Sequence, residues 1–163
     1  PGAMRVTKIG DESLNCHFVN GFAANDPQST LNIWEKIVEM DYNSDDPVVI
    51  MNCRQDRVDR TEIFVKNVFP NIKTHTLVGI GEITEPIATA FKNGLLPNVK
   101  NYIDLENATP DEILDAIGPL MKDRVIYGVG NIHGTGEPFI EKLLSMSQED
   151  QKDDYNENKK AII

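Results

Sequence analysis

The stretch NCRQDRVDRT sets Arg54, Arg57 and Arg60 against Asp56 and Asp59, directly after the apolar run VVIM. A guanidinium is a planar fork of donors that grips carboxylates and phosphates through paired hydrogen bonds. If the chain is helical from Asp56 onward, Asp56 and Arg60 stand one turn apart and Arg57 and Arg60 share a face. Two readings then compete. The segment is either a set of surface ion pairs, each worth a few tenths of a kcal/mol, or an anion site. Arg54 favours the second, because it immediately follows a run apolar enough to be a buried strand and so stands at a strand mouth.

A second segment, GVGNIHGTGEP, is rich in glycine and precedes a helical pattern. Its amides are placed to hold an anion, or the glycines serve a turn that visits left-handed backbone. The pattern alone leaves both open. His133 is the one histidine in such a loop, whereas His17 and His75 fall inside strand-like runs as core or edge residues. No GxxxxGK[ST] occurs and no GxGxxG opens a helix after the first strand. Nor is there zinc-ligand spacing, a Ser-His-Asp set or a Cys-His pair, so the sequence presents no catalytic residue and no metal site.

Elements must place these residues together, and the pattern supplies them. The strand-like runs 14–22, 47–53, 73–81, 99–105 and 124–130 alternate with helical patterns. The first helix, 26–40, has Asp26 as cap and Pro27 at its first position, with Leu31, Trp34, Ile37 and Val38 on one face. The second follows the arginines, with Val65, Val68, Phe69 and Ile72 as its stripe. The third, 85–95, stops at Gly94. The fourth, 109–121, is capped by Thr109 and turns Ile113, Ile117, Leu120 and Met121 inward. A closing helix covers 136–144. Five strand–helix alternations with short connections predict an α/β domain, a parallel sheet with helices on both faces.

In such a sheet, ligands gather at the carboxyl ends of the strands. The residues there are Asn20 to Asp26, Arg54 to Arg57, Gly81 to Glu85 and Gly130 to Gly136. All are polar or glycine-rich, whereas the opposite ends are ordinary turns. That edge is the expected functional one.

The 163 residues and 40% hydrophobic content suit one domain with a sizeable core. A net charge of -10 argues against nucleic acid or an anionic membrane as the main partner. Cys16 and Cys53 lie in apolar runs outside any CxxC and read as buried, reduced thiols of a cytoplasmic protein. No signal peptide or membrane-spanning run is read. Residues 146–163, crowded with acids and lysines, read as an acidic, disordered tail after a domain at 1–145. The opening PGAMRV, without an initiator methionine, suggests a piece of something longer.

Several segments in order, PGAMR, HFVNGFAANDPQSTLNIWEKI, DDPVVIMNCRQDRVDRT, GEITEPI and RVIYGVGNIHGTGEPFIEKL, resemble one family over 1–144. It is the carboxy-terminal part of the ligase subunit of poly-γ-glutamate synthase, the CapB/PgsB type. That family is similar to the Mur ligases and folylpolyglutamate synthases. The resemblance implies a Rossmann-like, mostly parallel open sheet. It also implies an ATP- and Mg2+-dependent amide ligase that activates a carboxylate as an acyl phosphate for attack by glutamate, in capsule synthesis.

The P-loop domain of such a ligase lies outside this chain, so the chain alone is expected to be inactive. GFAAND falls where Mur ligases have D-Y-A-H-N-P. Phe22, Ala23 and Asn25 match, while glycine and alanine replace the aspartate and histidine. GVGNIHG is similar to their G-K-G-H-E loop. The resemblance thus implies Arg54, Asp56, Arg57, Arg60 and His133 for glutamate or poly-γ-glutamate, with the aspartates as braces or as partners of the ammonium. It implies Asn20, Asn25, Asp26 and Asn131 as nucleotide contacts. It further implies an upstream P-loop domain and membrane subunits of the synthase as partners, at the inner face of the membrane. The other open reading is a non-catalytic metabolite-binding or docking module.

Overall fold

A computed structural model describes residues 5–22, 24 and 26–146. They build one six-stranded sheet. The strands are β1 (Arg5–Ile9), β2 (Cys16–Asn20), β3 (Val48–Cys53), β4 (Thr74–Gly81), β5 (Val99–Glu106) and β6 (Val125–Gly130), in the spatial order β1-β2-β6-β3-β4-β5. All neighbours run parallel except β1, which pairs antiparallel with β2 from Ile9↔Cys16 to Arg5↔Asn20. The helices are α1 (Pro27–Glu39), α2 (Val58–Asn67), α3 (Glu85–Lys92), α4 (Pro110–Ile117) and α5 (136–146). The expected α/β architecture is present. Strand β1 is an addition, because a short, half-exposed edge strand carries little hydrophobic signal.

Side-chain alternation along β3 sorts the core into two layers. Val49 and Met51 face Trp34 and Ile37 of α1, Phe64 of α2 and Ile87 of α3. Val48 and Ile50 face Ile113 and Ile117 of α4 and Phe139, Ile140 and Leu143 of α5. Every residue of β3 and β6 is buried, as central strands covered on both faces must be. Within the first layer Trp34 stacks on Tyr127 with ring centroids 5.3 Å apart. The Tyr127 hydroxyl donates to the Thr30 carbonyl at 2.6 Å, so this buried phenol is satisfied.

Local signals explain the helix ends. Asp26 caps α1 by accepting from the Ser29 amide at 2.8 Å, and Thr109 and Glu112 form a reciprocal capping box on α4. Gly94, at φ 73, follows α3 as a stop residue. The stripe expected for α2 is displaced. Pro70 ends the helix early, and a 3₁₀ turn (Phe69–Asn71) follows. Phe64 and Thr61 therefore face the core from α2 while Val65 is only partly buried, and Val68, Phe69 and Ile72 are buried beyond the helix end. Leu120 likewise falls in a 3₁₀ turn and is only half-buried.

The tail expectation falls, from 147 onward, outside the described residues. Among those described, no helix is long and apolar enough to cross a membrane.

The connections leave the sheet unevenly. β2 and β3 exit to α1 and α2 on one face, while β6, lying between them, exits to α5 on the other. Neighbouring strands with oppositely directed exits open a crevice above their carboxyl ends. The arginine segment and the glycine-rich loop leave the sheet at this crevice.

Both cysteines are free and buried, and burial pushes each thiol up from 9.0 to about 12. The fold favours the protonated form, so this contribution is complete below pH 9 and is lost as pH rises towards 12. We expect a thiol-specific maleimide at neutral pH to label neither cysteine in the native chain and both in urea. Fast native labelling would show that these strands open locally.

Candidate functional site

Strand β3 ends at Cys53, and the chain stays extended through Arg54, at φ -131 and ψ 141. A 3₁₀ turn (Gln55–Arg57) closes as the Arg57 amide donates to the Arg54 carbonyl at 3.0 Å. Helix α2 then begins at Val58, with Arg57 in the capping position and no side-chain cap. Arg57 and Arg60 thus stand at a helix N-terminus. Cations are electrostatically misplaced there, because the helix dipole favours negative charge at that end. Asp59, also in the first turn of α2, supplies the charge that the dipole favours.

The turn also changes the ion pairing. The spacing predicts Asp56 and Arg60 as an i,i+4 pair, but Asp56 precedes α2 and faces elsewhere. Its carboxylate lies 2.7 Å from Arg54 Nη2 and 3.8 Å from Arg57 Nη1. Arg57 Nη1 also donates to the Asp56 carbonyl at 2.9 Å. Arg60 instead crosses to the loop after β6, where its Nη1 donates to Asn131 Oδ1. Asp56 therefore braces two of the arginines, and the third is held by a neutral amide.

The two sides of the crevice are joined by a residue that the sequence reading passed over. Asn52, fully buried in β3, donates through Nδ2 to the carbonyls of Asn131 at 2.6 Å and His133 at 2.8 Å. Asn131 returns the contact, its Nδ2 and backbone amide donating to the Asn52 carbonyl at 2.9 and 3.2 Å. Asn52 Oδ1 is buried without a hydrogen-bond partner among the described residues. A signal was present, since asparagine in the middle of VVIMNC is a polar residue in a strand that reads as buried on both faces.

Glycines flank this clasp for steric reasons. A Cβ on Gly81, at φ 82, would stand 2.2 Å from the Cys53 carbonyl oxygen, and one on Gly130, at φ 92, 2.8 Å from that of Asn52. The glycine-rich loop thus includes real left-handed positions at Gly130 and Gly134.

These residues line two adjoining clefts that share Arg54. One, of about 200 Å³, is walled by Arg54, Arg57, Arg60, Asn131, Ile132 and His133. The other, of about 290 Å³, lies between Arg54, Glu82 and Gly81 and the leading ends of α4 and α5, at Pro110, Thr135 and Pro138. Behind it the β4–α3 loop is pinned. The Thr84 hydroxyl donates to Asp104 at 2.8 Å and its amide to Glu106 at 3.1 Å. Ile83 is held at φ 59, a strained conformation for a β-branched residue.

The expected glutamate residues Arg54, Arg57, Arg60 and His133 therefore meet in one cleft. His133 is mostly exposed there, with Nδ1 3.1 Å from Glu137 Oε1. Asp56 stands behind as their brace. The expected nucleotide set does not converge in the same way. Asn131 joins the arginines, Asn20 accepts from the Phe22 amide at 3.2 Å, and both carboxylate oxygens of Asp26 are engaged by Ser29. Asn25 lies outside the described residues. Among those described, no three His, Cys, Asp or Glu side chains converge as metal ligands do.

The open α/β sheet is shared with a solved structure. The chain superimposes on part of MurF from Acinetobacter baumannii with a TM-score of 0.50 at 11% identity, covering 90% of this chain and 30% of that one. Residues 6–146 match the family described as the poly-gamma-glutamate synthase CapB C-terminal domain, and the chain belongs to that family. It is 51% identical over 144 residues to the capsule biosynthesis protein CapB of Bacillus anthracis, covering 88% of this chain and 31% of that protein. It is 54% identical over 143 residues to the PGA synthase CapB of Bacillus subtilis (strain 168), covering 88% and 36%. The chain thus spans about a third of the length of these curated relatives.

Replacing Asn52 with leucine keeps the volume but leaves two carbonyls of the loop without their buried donor. We expect a loss of about 1–3 kcal/mol in urea unfolding and faster amide hydrogen exchange across 131–135. Unchanged exchange there would show that the loop holds its shape without the clasp.

Proposed function

We propose that this chain is the C-terminal part of an ATP- and Mg2+-dependent amide ligase that extends poly-γ-glutamate for a capsule, and that its arginine crevice holds the carboxylates of the substrate. The observation that carries the reading is the three-arginine cleft at the carboxyl ends of β3 and β6, in a domain of the synthase family. Within an otherwise acidic chain it concentrates forked donors that match carboxylate geometry.

ATP supplies the activation of a carboxylate as an acyl phosphate, and the reading assigns that chemistry to a P-loop domain outside this chain. Among the described residues of the expected nucleotide set, Asp26 caps α1 and the Asn131 side-chain amide is held by Asn52 and Arg60. The chain's own residues bind and orient. Asp56 keeps the Arg54 and Arg57 guanidiniums aimed at the crevice, and the Asn52 clasp holds the loop that forms the other wall. Orientation of this kind lowers the barrier to amide formation by removing the search for the reactive pose. The isolated chain is inactive on this reading. In the cell it works beside its P-loop domain and the membrane subunits of the synthase.

Arg54 borders both clefts while making only a surface pair with Asp56, so its loss separates function from folding. In the complete synthase, Arg54→Ala is expected to lower kcat/KM for glutamate by about 10–100-fold. Stability in urea should stay within about 1 kcal/mol of the parent. Normal glutamate-dependent ATP turnover in a folded variant would remove the crevice from the reaction.

A further inference from the structure

The two clefts that share Arg54 differ in charge, and the difference sorts their ligands. The larger one sets Arg54 beside Glu82, one cation and one carboxylate, as the α-carboxylate and ammonium of a free amino acid require. The smaller one presents Arg54, Arg57 and Arg60, and none of the six described residues lining it is acidic. The carboxylates that touch its lining residues are already engaged, Asp56 by Arg54 and Arg57 and Glu137 by His133. Arg60 has only the neutral Asn131 amide as its partner in the crevice. A free ammonium entering this cleft would meet three guanidiniums and only carboxylates that already have partners. A ligand with several carboxylates and no ammonium meets a favourable contact at each arginine.

We infer that the three-arginine cleft binds the interior of the γ-linked glutamate chain, in which each residue keeps its α-carboxylate and its nitrogen is an amide. Free glutamate is left to the Arg54–Glu82 cleft beside it. This rests on the substrate class proposed above and adds a division of labour to it. Amide nitrogens of the polymer carry no charge and so add no repulsion among the guanidiniums, and the mostly exposed His133 ring stands at the edge of the cleft. The cleft is open at Arg57, whose side chain is 48% exposed, so a polymer can run out into solvent rather than having to end there.

The test is calorimetric titration of the 163-residue chain with glutamate, N-acetylglutamate, γ-linked glutamate dimer, tetramer and octamer, and tripolyphosphate. Affinity should rise about tenfold from dimer to tetramer as further carboxylates reach the arginines. It should then change little to the octamer and weaken steeply with salt. Arg57→Gln, at a half-exposed position that the core does not need, should abolish the gain from dimer to tetramer. Glu82→Gln should weaken glutamate and leave the tetramer unchanged.

Tetramer binding no tighter than glutamate, or no measurable binding of any oligomer, overturns the assignment. Tighter binding of tripolyphosphate than of the tetramer overturns it in favour of a nucleotide subsite. The wider reading fails separately. If Arg54→Ala spares glutamate turnover in the complete synthase, the crevice has no part in the reaction. If that variant loses turnover while the tetramer shows no advantage here, only the polymer assignment falls.

Discussion

The reciprocal clasp between Asn52 and Asn131 is the contact on which the crevice depends. β3 and β6 are parallel neighbours whose following segments depart to opposite faces of the sheet, and such departures leave main-chain groups to satisfy in a buried place. One asparagine inside β3 meets two carbonyls of the outgoing loop, and Asn131 answers with two donors to the strand. Leaving a buried carbonyl unpaired costs more than a hydrogen bond gains net, so the loop is fixed by the cost of leaving the clasp. Through Asn131 the same contact reaches Arg60 and fixes one wall of the arginine cleft relative to the other.

Charge is arranged around that fixed frame. A chain with a net charge of -10 repels anions at long range, yet at the crevice three guanidiniums stand together, two braced by Asp56 and the third held by Asn131. Two of them occupy the start of α2, where the helix dipole already favours an anion. Dipole and arginines reinforce one another for a bound carboxylate and oppose one another without it.

Much of this was legible in the sequence, and the failures have physical causes. The alternation of apolar runs and amphipathic segments defined the parallel sheet, and the placement of arginines after VVIMNC located the edge where ligands gather. Asp26 and Thr109 were legible as caps because capping needs only local chemistry. The pairing of Asp56 was not legible, since a 3₁₀ turn of three residues shifts the start of α2 and cancels the expected i,i+4 contact. Asn52 escaped because its partners lie 79 and 81 positions away in the chain. Strand β1 escaped because an edge strand with one buried residue has almost no hydrophobic signature. Among the site residues, spacing brought forward the arginines and His133, but only the fold shows that Asn131 stands with them and that Asp26 is committed elsewhere.

The central claim is that the three arginines act as one carboxylate-binding surface. Nitrogen-15 NMR of the guanidinium Nε–Hε groups during titration of the 163-residue chain with γ-linked glutamate tetramer reads this directly. The account predicts that the signals of Arg54, Arg57 and Arg60 shift together along one binding curve while those of Arg5 and Arg124, at other parts of the sheet, stay in place. Uniform small shifts across all arginines, or none at Arg60, would contradict it.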